Sequence, residues 1–338
     1  MNASRIIRLA FPFILNYVVY YIYLFTPEIY PIMNKIYIIG YGAIGKVLAV
    51  ALKLNGHEVC IIRGSIADAP PQLQEITVES ASGNWPSTEI HIGSLQQFRS
   101  LEDGIIVLAN KSFGNARLSE VLQSKVGNAP IVIMQNGLGV ERSFIEKGFS
   151  NIYRTVLFAT SQNLQDGLVR FKPVAASAVG VVKGNEQLLN ETVEQLNTPQ
   201  FPFRAEKSIQ PVIWKKAISN CVFNSICPLL ETDNGIFHRD ENALALARRI
   251  IAECVEIAAA EGIRLHADEV EASLLQISRS SDGQLISTYQ DILNKRETEI
   301  ETLNLEVAAI AQRLHKQHVV RETRLLGELT LLKSKLHR

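Results

Sequence analysis

The chain has 338 residues, in which 34 lysines and arginines balance 34 aspartates and glutamates for a formal net charge of zero. With no basic stripe and no acidic tail, that balance argues against nucleic-acid binding and against a solvating role. The length sets an expectation of about two domains, each able to bury a core. Cys60, Cys221, Cys227 and Cys254 form no C-x-x-C pair, and the histidines form no H-E-x-x-H. Neither a zinc site nor a disulfide framework is expected, so no metal is assigned, and the pattern fits a reducing, cytoplasmic compartment.

Residues 1–32 differ from everything that follows. Arg5 and Arg8 precede a mostly apolar, tyrosine-rich run from Leu9 to Phe25, interrupted by Pro12 and Asn16. The run falls short of the ~20 apolar residues a spanning helix prefers, and no small-residue cleavage site follows it. If it did span, Arg5 and Arg8 would hold the N-terminus inside and push the remainder across the membrane. A hydrophobic extension outside the fold is the favoured expectation, with an anchor or a packed strap as alternatives. Membrane contact is expected through residues 1–32 or not at all. Met33 stands two residues before the first clear strand.

That strand, Lys35 to Ile39, runs straight into Gly40-Tyr41-Gly42-Ala43-Ile44-Gly45, and a helix-forming run begins at Lys46. In a strand–turn–helix, Gly40 allows the tight turn, Gly42 lets a pyrophosphate approach the backbone, and Gly45 lets helix and strand pack closely. The anion would rest on the free N–H groups of the helix N-terminus. Further strands follow at Glu58–Arg63, Gly104–Ala109 and Ile131–Met134, with a helix at Ala116–Gln123. Pro70-Pro71 and Gly83-Asn84-Trp85-Pro86 mark loops and short antiparallel pieces, and Val156–Val182 two or three strands turning at Asp166-Gly167. Alternating strands and helices predict a parallel sheet covered on both faces, a Rossmann-type α/β domain over residues 33–206. From residue 207 to 338 the pattern is all-α, with helices expected at Val212–Cys227, Asn242–Glu261, Ala267–Ile277, Ser287–His315 and Glu322–Leu336.

Two features bear on chemistry. The second strand ends Ile62-Arg63-Gly64-Ser65, with no acid to hold the ribose hydroxyls of NAD; an arginine there suits the 2′-phosphate of NADP, although it could simply cap a strand end. In the helical half, Lys216, Asn220 and Asn224 recur every four residues on one face of an otherwise apolar helix. A solvated lysine and backbone-satisfied asparagines, Asn224 near a C-terminal cap ahead of Pro228, are the plainer explanation.

The succession G-x-G-A-I-G, Lys111 after the third buried strand, Gln135-Asn136-Gly137-Leu138-Gly139, and W-K-K-x-x-x-N-x-x-x-N from Trp214 resembles the ketopantoate reductase (2-dehydropantoate 2-reductase) family, from Met33 to about Gln312. The resemblance implies NADPH-dependent reduction of 2-dehydropantoate to (R)-pantoate, feeding pantothenate and coenzyme A synthesis, in a monomer or homodimer. It implies Lys216 as proton donor with Glu299 beside it. It places Gly40, Tyr41, Gly42, Ala43, Ile44, Gly45, Arg63, Lys111 and Asn136 at the cofactor, and Asn136, Asn220, Asn224, Asn234 and Ser287 at the substrate. Local readings stand beside these: Ser287 with Gln290 is a capping box, Glu299 lies in a charged stretch, and Asn136-Gly137 is a turn signal. The chain departs from the family at Asn304-Leu305, where Asn-Gly is usual, near Arg321-Glu322, where Thr-Pro is usual, and at Arg63, one residue early.

The chemistry is coherent. Reducing a 2-oxo acid needs a hydride on carbon and a proton on oxygen, and an ammonium group serves the second while stabilising the growing charge. A related hydroxyacid dehydrogenase with another acyl substrate, or a non-catalytic NADP-binding regulator, are the competing readings.

Overall fold

In the computed structural model, described over residues 35–64, 70–81 and 83–338, the strands of the first half assemble into one long mixed sheet. In chain order they are β1 (Lys35–Ile39), β2 (Val59–Arg63), β3 (Gln72–Ser80), β4 (Gly83–Asn84), β5 (Thr88–Ser94), β6 (Gly104–Leu108), β7 (Ile131–Ile133), β8 (Ile152–Val156), β9 (Ala159–Gln165), β10 (Leu168–Pro173), β11 (Ser177–Lys183) and β12 (Phe203–Ala205). Their order is β12-β11-β8-β7-β6-β1-β2-β5-β3-β10-β9, with β4 on β3. From β8 through β7, β6, β1 and β2 to β5 every neighbouring pair is parallel. The chain leaves β1 to build one side of the sheet and returns to build the other at β6. That reversal is the crevice where open α/β sheets bind ligands.

The strands here are Ile- and Val-rich because both faces are covered. Helix α1 (Ala43–Leu54) lies on one face, with Val47 through Leu52 all at 0 % exposure. It is buried so completely because Val78 on β3, and Val169 and Phe171 on β10, share its hydrophobic cluster from the side away from the parallel strands. Helices α2 (Asn115–Gln123), α3 (Arg142–Glu146) and α4 (Glu186–Leu196) complete the covering.

After β12 the chain is helical. Helix α5 (Ile209–Leu230) is followed by α6 (Ile236–Arg239), α7 (Glu241–Ala260), α8 (Ala267–Ser280), α9 (Ser287–Leu293), α10 (Asn304–Arg313) and α11 (Arg321–Leu336). Helix α5 is apolar around most of its circumference, the mark of a helix surrounded by others. Its Trp214, Ile218, Val222 and Ile226 join a cluster that also takes in Leu138 and Val156 of the sheet half, so the two halves share one core.

Four expectations need correction. Helix α1 starts at Ala43, so Gly45 lies within its first turn. The polar region after β2 holds two substantial strands, β3 and β5, paired antiparallel, with β5 parallel to β2. A strand, β8, already runs from Ile152, ahead of the expected start at Val156. The single helix expected over Ser287–His315 is two helices, separated by Lys295 at φ +56° and a short 3₁₀ turn at Ile300–Thr302. The extension at residues 1–32 and Ser65 lie outside the described residues, among which no helix is long and apolar enough to cross a membrane.

Candidate active site

Because the central strands are parallel, their C-terminal ends gather on one edge, each delivering a residue to it. After β1 comes the glycine turn. Gly40 has φ +134°, and a Cβ there would lie 2.5 Å from the Ala109–Asn110 backbone. A Cβ at Gly45 would overlap the Gly40 carbonyl oxygen. Gly42 is different: it is exposed, and its Cβ would come no closer than 4.0 Å to the described protein. Space is thus left at the glycine whose backbone a pyrophosphate would approach, at the start of α1, whose N-cap Gly42 supplies no side-chain cap and where the first N–H groups of a helix have no partner within it.

Arg63 ends β2 with its guanidinium carbon 4.8 Å from the centroid of the Tyr41 ring, and Lys46 Nζ lies 4.1 Å from the same centroid. Arg63 Nε is buried without a partner among the described residues. The Lys46 side chain is also buried; its ammonium donates to Asn163 Oδ1 at 3.3 Å and is held below its usual pKa by desolvation. The Tyr41 hydroxyl meets Gln74 and lies 3.4 Å from Asp166 on the β9–β10 turn.

Lys111, three residues beyond β6, spans to the helical half. Its ammonium reaches Glu299 at 3.0 Å and Asp291 at 3.1 Å. Burial alone would lower the pKa of Lys111, but the two carboxylates reverse the effect and raise it. After β7 the chain turns through Gln135, Asn136 and Gly137. Gly137 has φ +99°, and a Cβ there would collide with Thr302. Leu138 N–H donates to the Thr302 carbonyl at 2.8 Å, which docks this turn onto the segment carrying Glu299.

Arg154 on β8 holds the same turn from below. It is only 2 % exposed, pairs with Glu141, and donates to the carbonyls of Gly137 at 2.9 Å and Gln135 at 3.4 Å. The Gln135 amide exchanges hydrogen bonds with Asn115 at 2.7 and 2.9 Å.

Lys216 and Asn220 of α5 enter one recess with Gln135, Asn136 and Arg154. Lys216 Nζ donates to the Leu157 carbonyl at 2.7 Å. Desolvation lowers its pKa to about 8, with the Arg154 charge acting in the same direction and Glu299 opposing. At neutral pH the group is a protonated ammonium that releases its proton readily.

The remaining expected residues are not among those lining that recess. Asn224, one turn beyond Asn220, is 3 % exposed; its Oδ1 accepts from Ser287 Oγ at 3.4 Å and from Thr288 N–H at 3.2 Å. Ser287 opens α9 without capping it, and Asn224 is four residues short of Pro228 inside α5. Asn234 receives Ser278 Oγ on its carbonyl and donates its N–H to Gln284, while its buried Oδ1 has no partner among the described residues. It is not among the residues lining the recess. Glu299 touches Lys111, and acts on Lys216 only through its field.

Asp291 and Arg154 were not foreseen from the sequence. Asp291 lies four residues after Ser287, on the same helix face, and Arg154 is the one charged residue of the strand Ile152–Val156; both signals are in the sequence.

Two family models match the chain: Ketopantoate reductase PanE/ApbA over residues 36–184, and Ketopantoate reductase PanE/ApbA C terminal over residues 208–323. A 2-dehydropantoate 2-reductase of Pyrococcus abyssi is 22 % identical over 280 residues, 82 % of this chain and 91 % of that protein. One from Pyrococcus horikoshii is 25 % identical over the same shares. Among solved structures, a dimeric ketopantoate reductase from Staphylococcus aureus superposes with a TM-score of 0.73 at 19 % identity, covering 89 % of this chain and 99 % of that one. A D-mandelate dehydrogenase, solved with NADH and anilino(oxo)acetate, superposes with a TM-score of 0.76 at 22 % identity, covering 90 % and 99 %.

Proposed function

The chain belongs to the ketopantoate reductase family, and from that premise we propose that it reduces a 2-oxo acid to its 2-hydroxy acid with NADPH, the substrate being 2-dehydropantoate and the product (R)-pantoate. The observation that carries this reading is Lys216, a lysine with a pKa near 8 in a recess shared with Asn136 and Asn220. The cofactor, when bound, supplies the hydride. Gly42 leaves room for its pyrophosphate, and Arg63, whose guanidinium lies over the Tyr41 ring and whose Nε has no partner among the described residues, suits the 2′-phosphate, which an acidic residue would repel.

The protein residues govern the proton. The Leu157 carbonyl orients the Lys216 ammonium, which donates to the substrate oxygen as charge develops there. The amides of Asn136 and Asn220 can hold carboxylate and hydroxyl without adding charge. Asn224, tied to Ser287, and the Oδ1 of Asn234, which has no partner among the described residues, are proposed to meet the substrate's far end. Lys111 is proposed to fix Glu299, so that one carboxylate faces both the lysine pair and the substrate hydroxyl. A nicotinamide-dependent reductase of this kind would work in the cytoplasm.

A second reading keeps the mechanism and changes the acyl group, because the D-mandelate dehydrogenase shares the fold at a similar TM-score. A panel of 2-oxo acids, followed by loss of NADPH absorbance, separates the two. The first reading expects 2-dehydropantoate to give the highest kcat/KM; an aromatic 2-oxo acid in that place would favour the second. In the same assay NADPH should outperform NADH, and Arg63→Ala should cost tenfold or more of that preference, the worth of a charged contact of ~1.5–3 kcal/mol. Equal use of the two cofactors by the unaltered protein would sink the NADPH assignment.

A further inference from the structure

Strands β3, β10 and β9 extend the sheet beyond β5, and their side chains reach back to the glycine turn. They meet it on one aromatic ring. The Tyr41 hydroxyl is held by Gln74 of β3 and lies 3.4 Å from Asp166 on the β9–β10 turn, and Gln74 Nε2 donates to the same carboxylate at 2.9 Å. Two cations lie on the ring so held: the Arg63 guanidinium carbon is 4.8 Å and Lys46 Nζ 4.1 Å from its centroid.

No protein carboxylate neutralises this pair directly. Lys46 is 4 % exposed, where a bare ammonium is costly, yet among the described residues its hydrogen-bond partner is the neutral Asn163. Arg63 Nε has no partner among them. Asp166 is exposed at its turn and already accepts from Gln74. Desolvation lowers the Lys46 pKa, with Asp166 opposing and Arg63 assisting. Two like charges brought together, one of them buried, weaken a fold unless an anion joins them.

We infer that Tyr41 and Lys46 determine the preference for NADPH over NADH: Tyr41 is a positioning residue that holds the Arg63 guanidinium at the 2′-phosphate, and Lys46 supplies a second positive charge to the field that phosphate meets. The inference rests on the NADPH reading above. A guanidinium lying over an aromatic face gives up none of its N–H donors to that contact, so they remain for phosphate oxygens. A phosphate monoester carries close to two negative charges at neutral pH, which one cation leaves half matched. The β3–β10–β9 extension thereby gains a task, because Gln74 fixes the ring and Asn163 the ammonium.

Binding titrations of NADPH, NADH and 2′,5′-ADP on the full chain test this. Lys46→Met keeps an unbranched apolar stem and removes the charge. It should weaken NADPH and 2′,5′-ADP about fivefold or more and leave NADH unchanged. Its melting temperature should hold or rise, because a buried uncompensated charge is gone and water can replace it at the exposed Asn163. Tyr41→Leu should erode the same preference, whereas Tyr41→Phe, which keeps the ring, should retain most of it. Equal weakening of NADPH and NADH in Lys46→Met would make the lysine merely structural and overturn the inference. So would a preference that Lys46→Met and Tyr41→Leu leave unmoved, or a Tyr41→Phe as impaired as Tyr41→Leu. An unaltered chain that binds NADPH and NADH equally would instead remove the NADPH reading, and this inference with it.

Discussion

Lys216 sits between opposing influences. Burial and the Arg154 guanidinium favour its neutral form, Glu299 favours the charged form, and the balance is a pKa near 8, below the ordinary 10.5. The sign of the pH dependence follows. Reduction needs the proton on the lysine, so kcat/KM for the 2-oxo acid should be level below about pH 8 and fall above it; oxidation of the hydroxy acid should rise over the same range. Arg154→Met, made with Glu141→Gln so that no buried carboxylate is stranded, should move the falling limb to higher pH, whereas Arg154→Lys should not. An unmoved limb in the first variant would mean that the Arg154 charge does not help set the pKa. Amides every four residues on an apolar helix drew attention to α5, but the spacing alone favoured a structural role, and the functional roles proposed for Lys216, Asn220 and Asn224 came from the family resemblance. Arg154 and Asp291 were harder to see, since their meaning lies in partners distant in sequence: Gly137 for one, Lys111 for the other.

The glycine turn is the element whose reading can be divided position by position. Gly45→Ala places a methyl group on the Gly40 carbonyl oxygen and should disrupt the β1–α1 packing, visible as a large loss of thermal stability. Gly42→Ala meets no described protein atom within 4 Å except the Ala109 carbonyl oxygen at 4.0 Å, so it should leave stability nearly unchanged while weakening NADPH binding. Equal stability losses would show that the space beside Gly42 is not kept for a ligand. Between Ser287 and Arg313 local propensity misled. Asn294-Lys295-Arg296-Glu297 contains good helix formers, yet Lys295 is left-handed and the helix breaks. The break has a tertiary cause: it carries Glu299 to Lys111 and Thr302 beneath Gly137. Strands β3 and β5 were expected only as short antiparallel pieces among loops, because β3 begins exposed and polar and becomes buried only near Ile76 and Val78.

At the scale of the whole molecule, the parallel order from β8 to β5 puts the residues of the glycine turn, Arg63, Lys111, Asn136 and Leu157 on one edge, and α5 faces that edge with Lys216. Strand–helix alternation made this architecture readable in advance; the order of the strands was not, because pairing depends on contacts far apart in the chain. The compact unit containing the site runs from Lys35 to Arg338. A chain beginning at Met33 should therefore fold and keep full activity, and a loss of either would show that residues 1–32 contribute to the fold. The division of labour proposed here assigns the cofactor to the strand edge and the proton to the helical half. Measuring kcat with the best 2-oxo acid and NADPH affinity by fluorescence, side by side in Lys216→Ala, tests it most directly. Lys216→Ala should lower kcat by ~10²–10⁴-fold with NADPH binding nearly intact; a near-normal kcat would mean that Lys216 does not supply the proton.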